Sequence, residues 1–275
     1  MKFFLLPLFL VIFLFPCCSF KRVSKTKDVV YSPSKNLLLD VYAPRKIKEP
    51  KKILVYLYGG NWRSGKKELY KFFGKGMARK GLICVVLNYR LNPTLIEDMA
   101  GDVAEAVKWA KENAASFKGD TNNIYISGHS AGGHLAAMVA TDNSYFEKLN
   151  MRNPIQGVIL IDAFGLDMYK YLTVSNSPKD TIYTKVFSNN PAQWKKLSPI
   201  NYLSKQTPPF LVLTGGKTYP AITQLNDIFY SELKKYQPNA PFILYKRRKH
   251  IPMIGQFYFT CAKGYKDVLG FIGEH

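Results

Sequence analysis

The run Gly128-His129-Ser130-Ala131-Gly132 sets a serine between two glycines, and its flanks give that spacing chemical meaning. Asn123-Ile124-Tyr125-Ile126-Ser127 before it reads as a short β-run, and Gly133 to Ala140 after it reads as helix. Strand, Gly-x-Ser-x-Gly, helix is the context of a nucleophile elbow, a sharp strained turn that lifts the serine hydroxyl above the carboxyl edge of a sheet. A side chain at either glycine would collide with the neighbouring strand or helix.

A serine becomes a useful nucleophile only when a base takes its proton. Four histidines are candidates. His129 and His134 belong to the elbow and cannot easily reach around to Ser130, and His275 is the final residue. His250 follows the last apolar run, in Arg248-Lys249-His250-Ile251-Pro252, where a loop beyond the final strand can hang over the elbow. The oxyanion of a tetrahedral intermediate needs two backbone N–H donors. Ala131, directly after the serine, is expected to give one, and the turn Tyr58-Gly59-Gly60-Asn61-Trp62 the other. In that turn Gly59 and Gly60 let the backbone approach the substrate, and Asn61 and Trp62 are candidate substrate contacts.

The elements that must position these groups alternate between strand and helix. Apolar runs at Lys52–Tyr58, Leu82–Asn88, Gly157–Ile161, Pro209–Leu213 and Phe242–Tyr245 read as buried strands. Two shorter strands are expected near Val29–Tyr31 and Leu37–Tyr42. Helical patterns span Lys67–Lys80, Thr94–Phe117, Ala221–Tyr236 and Ile254–Ile272. In the second, Ile96, Met99, Val103, Ala106, Val107 and Ala110 keep helical spacing. The fold class is therefore α/β, a mostly parallel central sheet with helices on both faces and a small cap insertion at about 165–207. Ligands in such sheets bind beyond the carboxyl ends of the strands, where Ser130, Gly59 and Gly60 converge with the loops after 161, 214 and 245.

The chain of 275 residues, 47% hydrophobic and 14% aromatic, is sufficient for one large domain and excludes a disordered chain. Its start is separate. Met1-Lys2, an apolar run from Phe3 to Phe15, then Pro16-Cys17-Cys18-Ser19 describe a secretory signal over 1–18, shorter than the ~20 residues of a membrane span. Three outcomes stay open: lipidation at Cys18, simple cleavage, or an uncleaved anchor. Each places the folded part outside the cytoplasm, as a cell-envelope lipoprotein or a secreted or periplasmic protein. Residues 19–28 read as a tether and 29–275 as the domain. Cys84 and Cys261 read as small core residues rather than a disulfide, and no metal-ligand spacing is present, so no metal and no cofactor are expected. The net charge of +20 is scattered, with only Lys246-Arg247-Arg248-Lys249 as a compact run, and no nucleic-acid module accompanies it. Nucleic acid is not an expected partner. Arg247, Arg248 and Lys249 beside His250 are expected to attract substrates carrying negative charge.

Together these pieces resemble the α/β-hydrolase superfamily, in its esterase/lipase branch of hormone-sensitive-lipase-like carboxylesterases and kynurenine-formamidase-like enzymes. The motifs that carry the resemblance are Leu39-Asp40-Val41-Tyr42-Ala43-Pro44, Tyr58-Gly59-Gly60-Asn61-Trp62, Asn88-Tyr89-Arg90-Leu91, Gly128 to Ala136, Ser198-Pro199-Ile200, Pro208 to Leu211 and the histidine loop, across residues 29 to 272. The resemblance implies a serine hydrolase that cleaves small-molecule carboxylic esters through an acyl-enzyme on Ser130, with His250 as base. An amidase, formamidase or peptidase on the same scaffold, or a binding protein with weakened catalysis, are its rivals.

Two departures from the family pattern stand out. Tyr58 replaces the histidine of the usual His-Gly-Gly. Thr218, in Gly215-Gly216-Lys217-Thr218, occupies the place of the usual aspartate. The acid that orients the histidine is worth about 10⁴-fold in rate. Asp162, directly after Val158-Ile159-Leu160-Ile161, is the leading substitute. Asp227, and an arrangement with no acid in which Thr218 or water orients His250, remain alternatives.

Overall fold

A computed structural model describes residues 22–175 and 181–275 of the chain. The expected signal segment, Cys18 included, lies outside the described residues. Among the described residues, eight strands form one sheet: β1 (Val23–Ser32), β2 (Leu37–Pro44), β3 (Lys51–Leu57), β4 (Ile83–Leu87), β5 (Gly119–His129), β6 (Ile155–Ile161), β7 (Phe210–Gly215) and β8 (Phe242–Tyr245). Their order is β1-β2-β4-β3-β5-β6-β7-β8. The β1–β2 and β2–β4 pairs are antiparallel, and every other pair is parallel. The central strands are buried throughout: Ile53 to Leu57, Ile83 to Leu87 and Val158 to Ile161 expose almost nothing. That explains their continuous apolar runs, since both faces are covered by helices.

Among the described residues, ten helices follow in chain order. They are α1 (Lys71–Arg79), α2 (Ile96–Asn113), α3 (Ala131–Thr141), α4 (Ser144–Glu147), α5 (Met168–Ser175), α6 (Thr181–Phe187), α7 (Pro191–Lys196), α8 (Pro220–Leu233), α9 (His250–Gly255) and α10 (Lys263–Glu274). All eleven residues of α3 are buried, so the elbow helix sits inside the protein rather than on its surface. α1 and α10 meet so closely at Gly76 that an added Cβ would lie 1.6 Å from Tyr265 Oη. α5, α6 and α7 fall between β6 and β7, within the stretch read as a cap.

Three expectations are corrected. Residues 23–28, read as tether, open β1, with Val23 opposite Pro44 and Thr26 opposite Val41. They carry Lys25, Lys27 and Asp28 because β1 is an edge strand, where charge discourages further pairing. The single helix expected over Ile254–Ile272 is two helices, α9 and α10, joined through a 3₁₀ turn at Gln256–Tyr258. Cys261 lies in that junction and is exposed, whereas Cys84 is buried in β4, and both are free thiols.

Candidate active site

The elbow is strained where the sequence demands it. Ser130 has φ 53° and ψ −123°, a conformation that costs roughly 1–3 kcal/mol and persists only when its surroundings enforce it. They do. A Cβ at Gly128 would lie 2.1 Å from Gly132 O, and one at Gly132 would lie 2.4 Å from Leu57 O. Strand and helix therefore touch backbone to backbone, and Ser130 is held at their junction with 5% of its surface exposed.

His250, the first residue of α9, reaches the serine from the far side of the sheet edge. Its Nε2 lies 3.0 Å from Ser130 Oγ, and its Nδ1 lies 2.6 Å from Asp162 Oδ2. With Nδ1–H donating to the carboxylate, the Nε2 lone pair is free to accept the serine proton. Asp162 follows β6, has φ 49° and is fully buried. Its own N–H donates to Leu213 O at 2.7 Å, and the Gly215 N–H donates to its Oδ1 at 2.8 Å. The Thr218 hydroxyl donates to Oδ2, the oxygen that also faces His250. Of the candidate acids, Asp162 is therefore the one that the structure brings to the histidine. Asp227 is exposed on α8, and its carbonyl accepts from Ser231 Oγ.

Sequence reasoning read Thr218 as the place of a missing aspartate or, with no acid present, as an orienter of His250; the structure instead has it donate to Asp162. His129 is a second group it passed over. Buried beneath His250, its ring lies 4.6 Å away centroid to centroid, and its Nε2–H donates to His250 O at 3.2 Å. Burial, and then the nearby His250, lower its pKa to about 3. His134 is also buried, with its pKa lowered to about 4 by desolvation. Its Nε2–H donates to Leu197 O at 2.8 Å and so ties the elbow helix to the end of α7.

Opposite the histidine runs the glycine turn. A Cβ at Gly59 would lie 2.8 Å from Ser130 Cβ, so only glycine brings the backbone this close to the nucleophile. Gly60, at φ +136°, accepts from the N–H groups of Arg63 and Ser64 at 3.0 and 3.1 Å. Among the described residues, no protein acceptor is found for the N–H groups of Gly59, Gly60, Asn61 or Ala131. Gly59 and Ala131 are buried, Gly60 is half-buried and Asn61 exposed; buried backbone donors are almost always paired, so the two buried ones beside a serine mark a place for a negatively charged oxygen. Tyr58, in place of the family's histidine, packs the turn: it stacks on Tyr89 at 4.7 Å, and Tyr89 Oη donates to its carbonyl at 2.8 Å. Beyond the turn, Lys67 pins the chain, its N–H on Asn88 Oδ1 and its Nζ on Asp40 Oδ1, both at 2.8 Å.

Serine, histidine and glycine turn all face one cavity of about 660 Å³. Asn61 lines it, whereas Trp62 does not. Trp62 is fully buried at φ 57°, with its ring edge-on to His134 at 5.3 Å and to Phe187 at 5.0 Å, so the expectation that it contacts substrate is corrected. Phe164, Tyr171 and Tyr183, from the inserted segment and its approach, form an aromatic wall within 5.6 Å of one another. None of the described lining residues is Lys, Arg, Asp or Glu. Arg247, Arg248 and Lys249, expected to attract anionic substrates, are not themselves part of that lining, although the adjacent His250 is.

The comparisons agree with this arrangement. The BD-FAE family profile matches residues 39–225. A probable isoprenylcysteine alpha-carbonyl methylesterase of Oryza sativa subsp. japonica is 26% identical over 82% of this chain and 57% of its own length. Esterase LipQ of Mycobacterium tuberculosis is 30% identical over 72% of this chain and 50% of its own length. The chain thus spans half to three-fifths of the length of these curated relatives. A thermophilic esterase of Thermogutta terrifontis, solved with butyrate bound, superposes with a TM-score of 0.72 at 22% identity, covering 90% of this chain and 93% of that one. The fold is that of the α/β-hydrolases, and with the profile spanning β2 to α8 the chain belongs to the BD-FAE family.

Proposed function

We propose that this chain is a serine hydrolase that cleaves carboxylic esters through an acyl-enzyme on Ser130. The observation that carries the reading is the relay Ser130–His250–Asp162, with hydrogen-bond distances of 3.0 and 2.6 Å, at the wall of a cavity. Ser130 Oγ attacks the ester carbonyl while His250 Nε2 takes its proton. The carbonyl oxygen becomes an oxyanion facing the unpaired amides of Ala131 and of the Gly59-Gly60 turn. Collapse of the intermediate breaks the bond to the alcohol oxygen, which leaves with the proton from His250. Water then enters, gives a proton to His250 and attacks the acyl carbon. The carboxylic acid is released and Ser130 regains its hydrogen.

The uncharged lining and the aromatic wall favour neutral esters with an apolar group. The N-terminal Lys2, the apolar run Phe3–Phe15 and the Cys18-Ser19 pair support export, with lipidation at Cys18 as the means of membrane attachment. No helix among the described residues is long and apolar enough to cross a membrane. The test is hydrolysis of short-chain p-nitrophenyl esters by the chain and by Ser130→Ala, His250→Ala and Asp162→Asn. Turnover is expected to vanish for the first two and to fall by about 10⁴-fold for the third. Full turnover in Ser130→Ala would end the proposal.

A further inference from the structure

We propose that Thr218 is a positioning residue of this hydrolase: its hydroxyl orients the Asp162 carboxylate and, through it, the imidazole of His250. The inference rests on the reading of Asp162 as the acid. An aspartate side chain turns freely about its final bond, so a carboxylate held at one oxygen can present the other at many angles. Here both oxygens are held from the β7 side. Gly215 N–H takes Oδ1 at 2.8 Å, and Thr218 O–H takes Oδ2. The remaining approach to Oδ2 is left to His250 Nδ1–H.

A second observation, independent of the Asp162 contacts, shows why position 218 is placed for this work. The turn that carries Thr218 is clamped onto the loop that carries His250. Gly216 N–H donates to Tyr245 O and Lys217 N–H to Arg248 O, both at 2.9 Å. A Cβ at Gly215 would lie 2.7 Å from Arg248 O, and one at Gly216 would lie 2.6 Å from Lys246 O. Two glycines thus allow a backbone contact that fixes the threonine and the histidine relative to each other. The carboxylate bridges them from a third element, the end of β6. The family pattern carries its acid after β7; here Thr218 stands after β7 and the carboxylate facing His250 stands after β6.

The experiment compares Thr218→Val, which keeps the shape and removes the donor, with Thr218→Ser, which keeps the donor, and with Asp162→Asn. Outer partners of a reacting group commonly contribute on the order of 10–100-fold. For a neutral p-nitrophenyl ester, Thr218→Val is expected to lower kcat by that factor with KM unchanged, since Thr218 does not line the cavity. Thr218→Ser is expected to restore kcat to within about threefold of the parent. A steep fall in Asp162→Asn with kcat of Thr218→Val within about twofold of the parent would overturn the inference and leave the acid in place. Equal losses in the Val and Ser variants would overturn it too, because packing rather than donation would then explain the residue. An Asp162→Asn variant as active as the parent would instead overturn the underlying reading.

Discussion

Two neutral histidines under the active site give the fold a calculable weakness to acid. His129 and His134 are buried, and their pKa values are lowered to about 3 and about 4, first by desolvation and, for His129, also by His250. In the unfolded chain each titrates near 6.5. Between those values the unfolded state binds a proton that the native state refuses. The stability these groups contribute is therefore complete above about pH 6.5 and is lost as pH falls toward their native values. Each pH step below 6.5 costs about 1.4 kcal/mol per histidine, so at about pH 5 the loss is about 2 kcal/mol each and about 4 kcal/mol together. Urea unfolding near pH 8 and pH 5, fitted for the free energy in water, measures it. The chain is expected to lose about 4 kcal/mol across that interval, and His129→Gln or His134→Gln about half as much. A loss below about 1 kcal/mol in the parent, or a loss in both variants as large as the parent's, would refute the account of these histidines as buried and neutral.

Two further outcomes follow from the cavity itself. Gly60→Ala places a Cβ 2.1 Å from Ser64 O at φ +136°, so the turn must move, and kcat/KM for p-nitrophenyl acetate is expected to fall on the order of 10²–10³-fold. Retained activity in that variant would remove the turn from the oxyanion site. Because the basic run lies outside the lining, Arg247→Gln, Arg248→Gln and Lys249→Gln combined are expected to change KM for matched neutral and anionic esters equally, within about twofold at physiological salt. A selective rise for the anionic ester would restore the electrostatic role that the run of charge advertises.

That contrast marks what the linear chain discloses. Ser130 and His250 were legible because each sits at a boundary that composition marks, a glycine-flanked turn or the end of an apolar run. The central strands were legible because burial on both faces removes polar residues altogether. The first half of β1 was not, because an edge strand is paired on one side only and carries the lysines of a solvated tail. Trp62 misled for a related reason: a residue beside a glycine turn can face the ligand or the core, and here the ring packs inward on His134 and Phe187. The proposed acid lay between these cases. Asp162 was visible as a carboxylate at a strand end, but so was the loss of an aspartate at position 218, and neither fact alone could choose. Parallel pairing of β6 with β7, Val158 opposite Phe210 through Ile161 opposite Leu213, brings the two positions side by side. Once they are adjacent, a carboxylate at one and a hydroxyl at the other are complementary, whereas two carboxylates would repel. The Thr218 hydroxyl donating to Asp162 is that complementary pair, on which the proposed role of Asp162 as the acid rests.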